Sequence, residues 1–105
     1  MHVRDYFADL NVRLNDLSAE GERFLPETLA FAEGRLLFIH PFPDFNGRAT
    51  RLLLAEILRR LELPPVELAP INDPARQNYI RALEAADKLD WTPLTRLWQE
   101  RLENA

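Results

Sequence analysis

At 105 residues, 47% of them hydrophobic and 29% charged, the chain can build one core and sits near the small end of what one core stabilises. Cysteine is absent, which excludes disulfides, zinc–thiolate centres and thiol nucleophiles, and two histidines, His2 and His40, are too few for a His-rich metal site. The net charge of −4 provides no basic footprint for nucleic acid, no apolar run is long enough to span a bilayer, and the N-terminus lacks a signal-peptide pattern, so a cytoplasmic protein with neither nucleic-acid nor membrane partner is expected.

Val3, Tyr6, Phe7, Leu10, Leu14 and Leu17 recur at three- and four-residue spacing, which predicts a first amphipathic helix from Val3 to Leu17. Ser18 to Phe24, with Gly21 and paired glutamates, breaks the pattern. Pro26 then suits the first turn of a second helix through Leu29, Ala32, Leu36 and Ile39. Pro41 and Pro43 remove backbone donors and push the residues before them away from helical geometry, so the chain leaves this helix at His40 in a stiff loop. A third helix is expected from near Gly47, with Leu54, Ile57, Leu58 and Leu61 on one stripe and Leu53 nearby. Arg48 and Arg51 share a side of its first turns. Arg59 and Arg60, on the same helix as Glu56 and Glu62, read as a solvated face.

Three prolines make Leu63 to Ile71 an extended connector. Asp73-Pro74 reads as an N-cap followed by a first-turn proline, opening a fourth helix through Tyr79, Ile80, Leu83 and Ala86. Thr92-Pro93 repeats that arrangement for a fifth helix with Leu94, Leu97, Trp98, Arg101 and Leu102. Tyr6, Trp91 and Trp98 read as core or edge aromatics. No alternating strand pattern occurs, so the expected fold is an all-α compact bundle of about five helices, with a loop carrying the chemistry between the second and third.

That loop and the helix start after it place a base, a carboxylate, an Asn-Gly turn and two arginines together, the parts of a phosphate-handling site. A helix start offers unpaired backbone N–H groups to an anion. The run His40-Pro41-Phe42-Pro43-Asp44-Phe45-Asn46-Gly47-Arg48-Ala49-Thr50-Arg51 resembles the signature of the Fic family (Fic/Doc proteins), His-x-Phe-x-Asp/Glu-Gly/Ala-Asn-Gly/Lys-Arg-x-x-Arg. It matches at His40, Phe42, Asp44, Asn46, Gly47, Arg48 and Arg51, and departs at Phe45, where the family usually has Gly or Ala.

The resemblance implies transfer of AMP from ATP to a Tyr, Thr or Ser hydroxyl of a target protein. His40 would be the general base, a role its chemistry also suits, since a hydroxyl needs a base that is largely neutral near pH 7. Asp44 matches the family's magnesium-binding acid, and one carboxylate is enough for Mg2+. Phe45, Asn46 and Gly47 would supply backbone N–H groups to phosphate oxygens, Asn46 also a side-chain contact, while Arg48 and Arg51 would neutralise the outer phosphates. Phe42 is expected to anchor the loop, at a cost of roughly 3–5 kcal/mol if a buried ring there is truncated. Asn78 and Tyr79 are expected near the nucleotide base. Gly47 resembles the AMP-transferring branch; Lys there resembles the Doc-type branch, which transfers a phosphate.

Family members usually carry further helices and a β-hairpin flap ahead of the helix matching Val3 to Leu17. The expectation is therefore one Fic-like domain over residues 1–105, either minimal or truncated at its N-terminus, with Ser18 to Phe24 the weaker candidate for a reduced flap. The family's inhibitory pattern, Ser/Thr-x-x-x-Glu-Gly/Asn, is not met: Ser18 and Glu22 are followed by Arg23, and Gln99 precedes Glu103-Asn104. Inhibition would then come from a separate partner, and a homo-oligomer stays open. The competing readings are a catalytically impaired Fic-like module that binds a nucleotide or a protein, and a transferase of another phosphate-containing group.

Overall fold

The helical spacing of the sequence is realised as α1 (Val3–Glu20), α2 (Leu25–Ile39), α3 (Asn46–Arg60), α4 (Ala75–Asp87) and α5 (Thr92–Glu103). The computed structural model describes residues 3–20, 24–39 and 46–105, and among them there is no strand and no helix long and apolar enough to cross a membrane. The all-α fold is as expected. α1 runs on to Glu20, past the break anticipated at Ser18, because Ala19 and Glu20 are good helix formers and the first strong breaker in the sequence is Gly21.

The organising element is α2, which touches each of the other four helices. A helix apolar on all sides belongs in the interior. Accordingly α2 buries an unbroken run from Thr28 to Leu36. Pro26 sits in its first turn, where a missing N–H removes no helical hydrogen bond, and the Phe24 carbonyl accepts from Thr28 N–H at 3.0 Å. α1 is anchored to α2 through Tyr6, whose hydroxyl donates to the Ala32 carbonyl at 2.8 Å and whose ring stacks on Phe31. Of the apolar stripe expected on α1, Tyr6, Leu10 and Leu17 are buried, while Phe7 stays partly exposed with its ring edge-on to Tyr6.

The approach of α5 to α2 depends on Gly34. A Cβ there would stand 2.9 Å from Trp91 Cζ3, 3.0 Å from Leu94 Cδ2 and 3.3 Å from Ala86 Cβ, so a side chain would push α4 and α5 away. Leu29, Leu54 and Leu94, all fully buried, each contribute about 1.5–3 kcal/mol of burial.

Among these apolar groups lies one carboxylate. Glu33 is 1% exposed; Tyr79 Oη–H donates to its Oε2 at 2.7 Å, and Trp98 Nε1–H and Arg101 Nη1–H donate to its Oε1 at 3.0 and 2.8 Å. Arg101 Nη2–H donates onward to the Leu68 carbonyl at 2.8 Å, tying the connector into the same group. Trp98 is thus core, as its sequence position indicated, but with a polar task at its edge.

Both cap readings need correction. α4 begins at Ala75 with Pro74 at the N-cap and no side-chain cap, so Asp73 does not serve as one. Trp91 occupies the N-cap of α5, Thr92 is already helical, and Asp90 Oδ1 accepts the Thr92 N–H at 3.2 Å. The physical reason is the C-terminal closure of α4 on Leu89 (φ 68°), with Asp90 N–H donating to Ala85 O, which brings Asp90 rather than Thr92 to the new helix start.

Glu33→Ala is expected to destabilise the chain by about 3–5 kcal/mol in urea unfolding, because it leaves a buried guanidinium, an indole N–H and a phenol without their acceptor; Glu33→Gln should cost less. Burial pushes the Tyr6 and Tyr79 phenols well above their ordinary range. A raised folded-state value contributes stability that is complete below the unfolded value, near 10, and lost as pH rises above it. Thermal melts should therefore fall in the alkaline range, and Tyr6→Phe should flatten that dependence while costing about 0.5–1.5 kcal/mol at neutral pH.

Candidate functional site

The helices on either side of the motif loop pack on each other, α2 ending at Ile39 and α3 starting at Asn46. His40, Phe42, Asp44 and Phe45 lie outside the described residues, as does the side chain of Asn46. What the structure places is the second half of the motif, on the first turns of α3.

The phase of α3 is set by its buried side. Thr50, Leu54, Ile57 and Leu58 face the interior, which turns Arg48 and Arg51 outward together, as their spacing indicated. Helical side chains lean toward the N-terminus. In Arg51 this brings Nη1 to 3.1 Å from where a Cβ on Gly47 would stand, so the missing side chain of Gly47 lets the guanidinium lie against the first turn. A cation at that end opposes the helix dipole and is stabilised by an anion beside it. A helix start also leaves its first backbone N–H groups without intrahelical partners, which favours the same ligand.

The other two arginines of α3 behave differently. Arg59 and Arg60 donate to Glu56 at 2.8–2.9 Å on the exposed face. The hydrogen bonds from Arg59 first, then Arg60, hold the Glu56 carboxyl down at about 2. Its depressed value keeps that pairing intact above the ordinary carboxylate range and loses it only as pH falls toward about 2. The solvated-face reading holds for Arg59 and Arg60, whereas Arg51 takes part in no ion pair among the described residues.

Tyr79 has a role the sequence did not suggest. Its hydroxyl is committed to Glu33, which gives it a structural role, while its half-buried ring and the exposed Asn78 beside it both line the cavity next to the connector. The signal for this network was in the sequence, a Glu in the middle of a mostly apolar helix, but its partners lie 46 and 65 positions or more away. No cluster of three or more His, Cys, Asp or Glu that could hold a metal occurs among the described residues.

Comparison with known proteins finds relatives at the level of sequence. The chain is 38% identical over 95 residues to protein adenylyltransferase fic-1 of Caenorhabditis briggsae, covering 90% of this chain and 18% of that protein. It is 37% identical over 101 residues to protein adenylyltransferase Fic of Nematostella vectensis, covering 90% and 23%, and 35% identical over 101 residues to its namesake of Aedes aegypti, covering 90% and 20%. The chain thus spans about a fifth of the length of these curated relatives. No family model and no solved structure matches it.

The geometry of α3 makes a specific demand. Inorganic pyrophosphate, titrated into labelled protein, should shift the NMR resonances of the Gly47–Arg51 amides; Arg51→Ala should weaken that binding several-fold, while Arg60→Ala should leave it unchanged.

Proposed function

The chain belongs to the Fic family, and we propose that it transfers AMP from ATP to a Tyr, Thr or Ser hydroxyl of a target protein. The observation that carries this reading is the motif itself. Seven positions of the Fic signature stand at the junction of α2 and α3, and two of them, Arg48 and Arg51, face outward together over the Gly47 turn.

In the proposed reaction the target hydroxyl oxygen attacks the α-phosphorus of ATP. His40 takes the hydroxyl proton, the new phosphorus–oxygen bond forms, and the bond from the α-phosphorus to the bridging oxygen breaks, releasing pyrophosphate. The backbone N–H groups at the start of α3 stabilise the charge that gathers on the α-phosphate oxygens. Arg48 and Arg51 neutralise the outer phosphates, holding the leaving group in line with the attacking oxygen. Asn46 orients the transferred phosphate. The donor set fits Mg2+, which takes one or two carboxylates and completes its shell with water and substrate phosphate; Asp44 would hold it, and it would offset phosphate charge. Phe42 anchors the loop, and Phe45 contributes its backbone.

Phe45, in place of the usual Gly or Ala, favours a second reading, a catalytically impaired Fic-like module that binds a nucleotide or a protein. Transfer to a target protein separates them, and calorimetry tests the anion site that both share. His40→Ala should lower labelling of target protein by α-labelled ATP about 100- to 10,000-fold while leaving the melting curve and ATP affinity intact. Arg51→Ala should weaken ATP binding in calorimetry. ATP binding by the parent chain with no transfer to any protein would leave the binding module as the better account.

A further inference from the structure

Outside the motif, two exposed arginines meet across a groove between α4 and α5. A groove of about 360 Å3 runs between these two helices, with Arg81 of α4 on one wall and Arg96 of α5 on the other. Neither guanidinium takes part in an ion pair among the described residues, in contrast to Arg59, Arg60 and Arg101. The floor is apolar: Ala82 is buried, and its small side chain at the helix contact leaves space above it, flanked by half-buried Pro93 and Leu97.

Charge is distributed unevenly along the groove. Asn78 and Glu100 line it with the arginines, Glu100 lying one turn beyond Arg96 on α5. A carboxylate-bearing ligand is therefore attracted to the walls formed by Arg81 and Arg96 and repelled from the Glu100 end, which gives the groove a polarity. The cavity beside the connector, about 370 Å3, lacks this character, because Arg101 in its lining is already neutralised by Glu33.

From this we infer that the α4–α5 groove docks a short acidic segment of a partner protein, an apolar side chain resting over Ala82, Pro93 and Leu97 with carboxylates to either side meeting Arg81 and Arg96. Guanidinium groups pair with carboxylates in a planar, two-bond geometry, and an apolar floor between them selects a peptide over a bare anion. On a chain of net charge −4 the groove is a local exception, so charge steers such a segment to it.

The test uses the whole chain and a fluorescein-labelled peptide, Glu-Glu-Leu-Glu-Glu, followed by fluorescence anisotropy at low salt. Saturable binding is expected that weakens roughly tenfold in the Arg81→Glu/Arg96→Glu variant, weakens similarly for the Gln-Gln-Leu-Gln-Gln peptide, and falls with added salt. Both arginines are exposed, so the variant should keep the parent's melting curve, and Arg60→Glu should keep the parent's affinity. Absence of saturable binding, or undiminished binding in the double variant, would overturn the inference. So would tighter binding of a single-stranded oligonucleotide with the same arginine dependence.

Discussion

One buried carboxylate determines how the helices meet. Glu33 stands at the middle of α2 and accepts from Tyr79 of α4 and from Trp98 and Arg101 of α5, while Arg101 reaches on to the connector at Leu68. Removing a carboxylate and a guanidinium from water costs several kcal/mol per ion, and only close pairing with every remaining polar atom satisfied offsets it. Here none of the buried side-chain polar atoms described lacks a partner. A hydrophobic contact tolerates a shifted neighbour, but this group does not: turning α2 by one position would break the hydrogen bonds of Glu33 to Tyr79, Trp98 and Arg101 together. The register of three helices is therefore fixed by polar matching and then filled by apolar packing.

The consequence reaches the motif through α2. Among the described residues α3 packs on no helix other than α2, through Leu54, Ile57 and Leu58. The position of the first turn of α3 is thus inherited from the central helix, and α2 in turn is held by Tyr6 on one side and Glu33 on the other. α3 itself divides its arginines by function. Glu56 compensates Arg59 and Arg60 at the C-terminal end, where basic groups also suit the dipole, whereas Arg51 at the N-terminal end takes part in no ion pair among the described residues.

Helix boundaries illustrate where local rules give way. Asp73-Pro74 and Thr92-Pro93 both have the composition of a capped helix start, yet neither Asp73 nor Thr92 caps. For Thr92 this follows from how α4 closes just before it. Just past the ends of α3 and α4, Glu62 at φ 59° and Leu89 at φ 68° take left-handed conformations that glycine adopts more readily, each closed by a pair of backbone hydrogen bonds to the last turn. Nothing in the residue types Glu or Leu announces such a conformation, since it is imposed by the path the chain must take to the next helix.

The five helices, their apolar stripes and the Fic motif were legible in the sequence because each depends on residues within a few positions of one another: periodicity, proline placement and the spacing of Arg48 and Arg51 are local quantities. The central position of α2 was implicit in its apolar composition. What only the tertiary structure decided was the meaning of residues whose partners are distant: Glu33 with Trp98 and Arg101, Tyr79 as a core hydroxyl, Gly34 as the site of closest approach, and the pairing of Arg81 with Arg96 across one groove. A side chain's chemistry is written in the sequence, but its electrostatic environment is the sum over neighbours that folding brings together, and those neighbours lie on other helices.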